Sequence, residues 1–196
     1  MAQSVKERMV EQMALLLATK GLQGASFSEV LSAAGAPRGS LYHYFPDGKD
    51  QLVNAALDFA AQRAFRVIDT LRGWPAVEVA TGFIAAWRTL LERASLEAGC
   101  AIMTVTAAAQ SDQLQTKVGE IFRAWRAKLA EALRDGGVAP ARAEAMAANL
   151  LAACEGAVGM ARAERALAPF DLMAAEQIAL IGMATSQTTA PLRSEP

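Results

Sequence analysis

Apolar residues recur along most of the chain at steps of three and four, the spacing of one helix face. Val5, Met9, Met13, Leu16 and Leu17 set the first run and predict a helix over about 3–20. Gly21 follows where a residue tolerant of positive φ ends a helix well. A second helix runs to Ala34, with Ser26 or Ser28 as its N-cap. Gly35 supplies a turn, and Pro37 sits at a first helical position, where its ring presets φ. A third short helix then spans Arg38 to about Tyr44 and is stopped by Pro46-Asp47-Gly48. From Lys49 the period resumes through Leu52, Ala56, Phe59 and Ala60, predicting a fourth helix to about Arg72.

The second half repeats the theme with longer elements. Val77, Ala80, Ile84, Trp87, Leu91 and Ala94 make one long stripe of a fifth helix. The stretch EAGCAIMTVTAAAQSD is apolar but interrupted by glycine, and reads as a loop and a shorter helix. Ser111 or Asp112 caps a helix carrying Leu114, Val118, Ile121, Trp125 and Leu129, which Gly136-Gly137 ends. Pro140 opens the next helix, and Pro169 with Asp171 opens the last. No segment alternates as a strand does, and no internal repeat of fixed period is present. The expected fold is all-α with about nine helices, three short ones leading.

Composition narrows the class. Hydrophobic residues make up 53% of the 196 positions and charged residues 20%, enough for a packed core and too apolar for a disordered chain. Nineteen Lys and Arg oppose twenty Asp and Glu, for a net charge of −1. That excludes a protein that coats nucleic acid through bulk charge, but not one with a local DNA-reading face. Cys100 and Cys154 are far apart and fit neither a disulfide framework nor a zinc ribbon. The N-terminus lacks the uninterrupted apolar core of a signal peptide, and no run of eighteen apolar residues escapes a charge or a breaker. The expectation is a soluble, cytoplasmic protein with no membrane span.

The segment APRGSLYHYFPDGKDQL, residues 36–52, gathers the chemistry. A helix, two short helices joined through Gly35 and a turn into a long helix form the layout of a helix-turn-helix, whose second short helix enters the major groove with its N-terminal end. Arg38 suits a guanine edge or a phosphate, Gly39 lets the backbone approach closely, and Ser40 donates or accepts. Tyr42 and His43 suit phosphate oxygens, while Tyr44 partly packs. Lys49, in the first turn of the following helix, can hold a phosphate together with free N–H groups. Up to residue 52, however, Lys6, Arg8, Lys20, Arg38 and Lys49 are balanced by Glu7, Glu11, Glu29, Asp47 and Asp50. So neutral a unit binds weakly alone and needs two copies on one site. His43 has no second histidine, paired cysteine or glutamate with which to form a metal or catalytic set, and PDGKD lacks the remainder of a phosphate loop. No cofactor and no metal are expected.

The stretch GLQGASFSEVLSAAGAPRGSLYHYFPDGKDQLVNAAL resembles the N-terminal domain of the TetR family of transcriptional repressors. It has the Gly after helix one, the capped second helix, the Ala-Gly turn, the small-residue start of helix three, the Leu-Tyr-His-Tyr-Phe run, the Pro turn and the Lys in order. The extra residue in PDGK, GCAIMTV, the Trp125 helix and EGAVGMARAERALAPFDLMAAEQIALI resemble the LmrA/YxaF-like branch, apart from Ala101, where a proline is expected. The resemblance implies that Arg38, Gly39, Ser40, Tyr42 and His43 face double-stranded operator DNA, with Lys49 and a hydroxyl of Ser26 or Ser28 on phosphates. It makes Leu41 and Phe45 core, beside Phe27, Val30 and Leu31. It further implies a helix-turn-helix DNA-binding domain over 1–50, a helical ligand-binding and dimerisation domain over 51–187, and a flexible tail over 188–196.

Phe83, Trp87, Met103, Phe122, Trp125, Cys154 and Met160 are large, soft apolar groups on the long helices. They are core, or some of them line a pocket for a small hydrophobic or aromatic effector. Ala148, Ala152, Gly156 and Gly159 share a helix face small enough for close approach, and Glu155 lies at a dimer seam or is a buried acceptor. The expected function is a homodimeric regulator, a repressor released by its effector. The alternatives are a helical small-molecule-binding protein with a degenerate DNA-binding unit and, with no nucleophile–base or carboxylate pair in evidence, an enzyme.

Overall fold

The structure, a computed structural model, describes residues 3–186; the tail expected over 188–196 lies outside them. Among the described residues there are nine helices and no strand: α1 Val5–Gly24, α2 Phe27–Ala34, α3 Ser40–Tyr44, α4 Lys49–Thr70, α5 Ala76–Arg93, α6 Ala101–Ala108, α7 Asp112–Asp135, α8 Pro140–Glu164 and α9 Ala168–Ser186. Packing divides them into two units. One holds residues 1–64 and 97–123, the other 65–96 and 124–196. Helix α7 therefore divides evenly between the two, while α4 gives its greater part to the first.

The first unit is built around α1. Ser4 caps it: its Oγ accepts from the Glu7 N–H at 3.2 Å, and the Glu7 carboxylate accepts from the Ser4 N–H at 2.8 Å. The bond from the Ser4 N–H, and then one from the Ser4 hydroxyl, hold the Glu7 carboxyl below its ordinary range. Gly21 breaks the helix with φ +72° and ψ 179°, and a last turn continues to Gly24. The expected stop is thus a kink. Met9, Met13 and Leu17 are completely buried, each contributing roughly 1.5–3 kcal/mol by leaving water. They meet α2 on one side and α6 on the other. Helix α6 is fastened to α1 by polar bonds as well: the Gly99 N–H donates to the Ala18 carbonyl and the Thr104 hydroxyl to that of Leu17, both at 2.9 Å.

Two expectations for this unit change. Helix α3 starts at Ser40 rather than Arg38, because the Ser40 N–H closes a turn onto the Pro37 carbonyl at 3.0 Å and leaves Arg38 and Gly39 in that turn. Phe27 and Leu31, expected as core beside Val30, are only half-buried. An eight-residue helix turns one narrow face inward, and Val30 and Ala34 fill it.

In the second unit α5, α8 and α9 pack on one another around Leu91, Leu150, Cys154, Phe170 and Ile181. Asp69 pairs with Lys128 at 2.6 Å, Arg72 with Glu131 at 2.9 Å and Arg88 with Asp171 at 2.9 Å. These are exposed or half-exposed pairs that water screens, so apolar burial carries the stability. The turn before α5 lies across the end of α7, where the Ala76 N–H donates to the Gly136 carbonyl at 2.9 Å. A Cβ on Gly136 would sit 2.5 Å from the Ala76 nitrogen and 2.6 Å from the Trp74 oxygen. Backbone atoms cannot yield as a side-chain tip does. Gly136→Ala is expected to destabilise the protein by about 1–3 kcal/mol in urea unfolding; an unchanged midpoint and slope would refute that close approach.

Candidate nucleic-acid interface

Helix α2 begins at Ser26, whose Oγ accepts from the Glu29 N–H at 3.3 Å while its hydroxyl donates to the Glu29 carboxylate at 3.0 Å. Of the two candidate serines, Ser26 is therefore the cap, and Ser28 keeps an exposed side chain. The helix closes at Gly35 in the left-handed region, φ +60°. The chain then turns through residues 36–39 into α3.

This turn and helix present most of the residues expected to face DNA to the outside, with Ser40 the more covered. Arg38, Gly39, Tyr42 and His43 are exposed, Tyr42 at 67%; Ser40 and Tyr44 are half-buried. The His43 and Tyr44 rings stand edge to face with centroids 4.8 Å apart, which fixes the imidazole's direction. Leu41 and Phe45 point the other way and are buried. A five-residue helix has only about one and a half turns, so with Leu41 buried and Tyr42 and His43 exposed it leaves a single outward edge.

The cations are distributed unequally. Lys20 pairs with Glu29, Arg8 donates to two backbone carbonyls, and the Lys6 ammonium lies 5.8 Å from the Phe45 ring centroid. The Lys49 ammonium donates to the Leu22 carbonyl at 2.9 Å, bracing the last turn of α1 against the start of α4. Only one of its three N–H donors serves that bond. Arg38 alone of the five has no hydrogen bond, ion pair or ring contact among the described residues. Spacing along the chain shows the cations but not their partners, which come from positions 5 to 39 residues away.

Residues 14–56 match the profile of bacterial regulatory proteins of the tetR family, and residues 76–176 match that of the LmrA/YxaF-like transcriptional regulator C-terminal domain. The chain belongs to the TetR family, in its LmrA/YxaF-like branch. It is 34% identical over 178 residues to an HTH-type transcriptional regulator of Mycobacterium tuberculosis, covering 87% of this chain and 91% of that one. It is 24% identical over 166 residues to LmrA of Bacillus subtilis, covering 78% and 84%. A TetR regulator from Chloroflexus aurantiacus has a similar structure, with a TM-score of 0.77 at 26% identity over 91% of this chain and 94% of that one. One from Legionella pneumophila reaches a TM-score of 0.81 at 18% identity, over 94% and 98%, and bears on the fold alone. This TetR-family protein is a DNA-binding transcriptional regulator, not an enzyme.

The residues named for the effector are scattered through the TetR fold. Phe83, Trp125 and Cys154 are buried in the second unit, Trp87 is half-buried there, and Met160 is 50% exposed. Phe122 and Met103 belong to the first unit, and Met103 is 40% exposed. A concave site of about 840 Å³ lies elsewhere, between the first turns of α4 and α7. It is polar, with Asp47, Asp50, Asp112 and Glu120 in its lining, and its Lys117 pairs with Asp58 at 2.5 Å. Its two walls come from distant stretches of the chain, so no local pattern announces it. No helix among the described residues is long and apolar enough to cross a membrane.

Burial, and then the neighbouring Glu155 charge, push the Cys154 thiol up to about 12. A thiol so protonated is no nucleophile. Cys154 is expected to resist iodoacetamide at pH 8.5 until urea unfolds the chain, as followed by peptide mass spectrometry; labelling of the native protein would contradict the burial. At the interface, Gly39 has an ordinary helical φ of −67°, and a Cβ there would meet nothing within 4 Å. The fold itself does not require glycine. Gly39→Ala is expected to keep or raise the melting temperature while weakening DNA binding about tenfold; equal DNA affinity would show that no close approach occurs there.

Proposed function

We propose that this TetR-family regulator is a homodimeric repressor, acting in the cytoplasm, that releases its operator when a small hydrophobic or aromatic effector binds among its C-terminal helices. The observation that carries this reading is the outward edge formed by Arg38, Gly39, Ser40, Tyr42 and His43, which the protein's own packing leaves unused. The N-terminal end of a recognition helix is where base edges are read. Lys49 and Ser28 serve phosphates beside it.

A unit with five cations and five anions up to residue 52 holds DNA poorly by itself. Two copies about 34–36 Å apart supply the missing affinity. The face of α8 that carries Ala152, Gly156, Gly159 and Met160 is exposed, as are Leu172 and Met183 on α9. A Cβ on Gly156 or Gly159 would meet nothing within 4 Å, so nothing among the described residues explains glycine at either position. Each costs an exposed helix about 1 kcal/mol relative to alanine. Close packing against the same face of a second copy accounts for both. Effector release then requires a ligand that prefers the DNA-incompetent state; a shift from 1:99 to 99:1 takes about 5.5 kcal/mol.

A second reading keeps the helical ligand-binding body but regards the DNA-binding unit as degenerate. It draws on the cations that are engaged within the protein. Selection of duplexes from a random library by the purified chain, followed by anisotropy titration in increasing salt, separates the two. The repressor reading expects one enriched duplex bound by a dimer. It expects Arg38→Ala to weaken that binding about tenfold and lower the salt slope by about one, and Gly156→Leu to give monomers that bind poorly. Failure of the folded wild-type dimer to enrich any duplex rules the repressor out.

A further inference from the structure

We propose that Arg8 is a positioning residue for DNA reading, acting through the α2 carboxyl end rather than on DNA; the inference rests on the DNA-binding reading above. Arg8 lies on α1, yet its Nε donates to the carbonyl of Ala34 at 3.0 Å and its Nη1 to that of Gln3 at 2.9 Å. Ala34 is the buried last residue of α2. A helix leaves its final carbonyls without partners inside itself. Here the Gly35 and Ala36 N–H groups return to the carbonyls of Leu31 and Ser32, so the usual glycine closure leaves the Ala34 oxygen to another donor. Arg8 is that donor, across 26 residues of sequence and in a partly buried setting where a charged bond is stronger than in water.

The chain between this oxygen and the DNA-reading edge is short. Gly35 follows directly, and Arg38 comes three residues later, in the turn that Ser40 closes onto Pro37. Holding the Ala34 carbonyl fixes the point from which that turn departs. It thereby fixes where Arg38 and Ser40 project relative to α2. The guanidinium is suited to this because its fork reaches two acceptors in different directions, tying the start of α1 to the end of α2. An ammonium carries all its donors on one nitrogen. The positive charge of Arg8 is therefore placed where it organises the reader, and it adds little to the phosphate contacts.

The experiment uses the full chain and the duplex it selects, alongside a scrambled duplex of equal length, for Arg8→Met and Arg8→Lys. Circular dichroism and the melting temperature establish the range in which each variant is folded. In that range Arg8→Met is expected to bind the selected duplex about tenfold more weakly and the scrambled one within about twofold of wild type, with the salt slope unchanged. Arg8→Lys keeps the charge but loses the fork, and is expected to recover part of the selected-duplex affinity at the same slope. Should Arg8→Met fail to fold, Arg8→Lys carries the test alone, with a reduced affinity confined to the selected duplex expected. Equal losses on the two duplexes overturn the inference, as does unchanged affinity for the selected duplex. A failure of the DNA-binding reading itself appears in the wild type, which then selects no duplex; a failure of this inference appears only in the variants.

Discussion

The ends of short helices govern the N-terminal unit. Every α-helix leaves about four N–H groups and four carbonyls without internal partners, however short it is. In α2, with eight residues, such groups are as numerous as the satisfied ones, and in α3, with five, they outnumber them. Ser4, Ser26 and Gly35 cap locally. Arg8 and Lys49 cap from a distance, onto the Ala34 and Leu22 carbonyls. These long-range caps knit α1, α2 and α4 together where the apolar core is thin. They also explain how a DNA-binding unit can be electrically neutral: part of its positive charge stabilises backbone oxygens, and one uncommonly free side chain, Arg38, is left at the turn.

Glycine separates internal from external demands. Gly136 is required by this chain's own backbone, which passes within 2.6 Å of where a Cβ would be. Gly35 is required by its left-handed φ. Gly39, Gly156 and Gly159 answer to neither, since each has open space around it and none has a positive φ. A residue that weakens a helix without an internal reason points outside the molecule. Under the proposed function, Gly39 answers to close approach by DNA and Gly156 and Gly159 to packing against a second copy.

The second unit is organised by a different force. Cys154, Phe170, Leu150 and Leu91 are buried with little polar help, and the cross-helix ion pairs lie on the outside. An interior of aromatic and sulfur-bearing side chains adapts readily to a flat apolar guest. The acidic hollow between α4 and α7 is of another character and sits in the first unit.

The sequence by itself determined the class and order of the elements. Periodicity located the helices, glycine and proline located their ends, and the Leu-Tyr-His-Tyr-Phe run located α3, because each of these signals is local and depends on spacings of a few residues. The boundary of α3 was misjudged by two residues, since a turn closed by Ser40 onto Pro37 begins as a helix does. Phe27 and Leu31 were placed too deep because periodicity reports which face is apolar and not how much protein covers it. Tertiary structure alone decided which of Ser26 and Ser28 caps, that α6 is fastened to α1, and that Arg8 and Lys49 are tied to carbonyls 26 and 27 residues away. A backbone carbonyl carries no sequence label, so a bond to one is invisible until the chain has folded the two ends together.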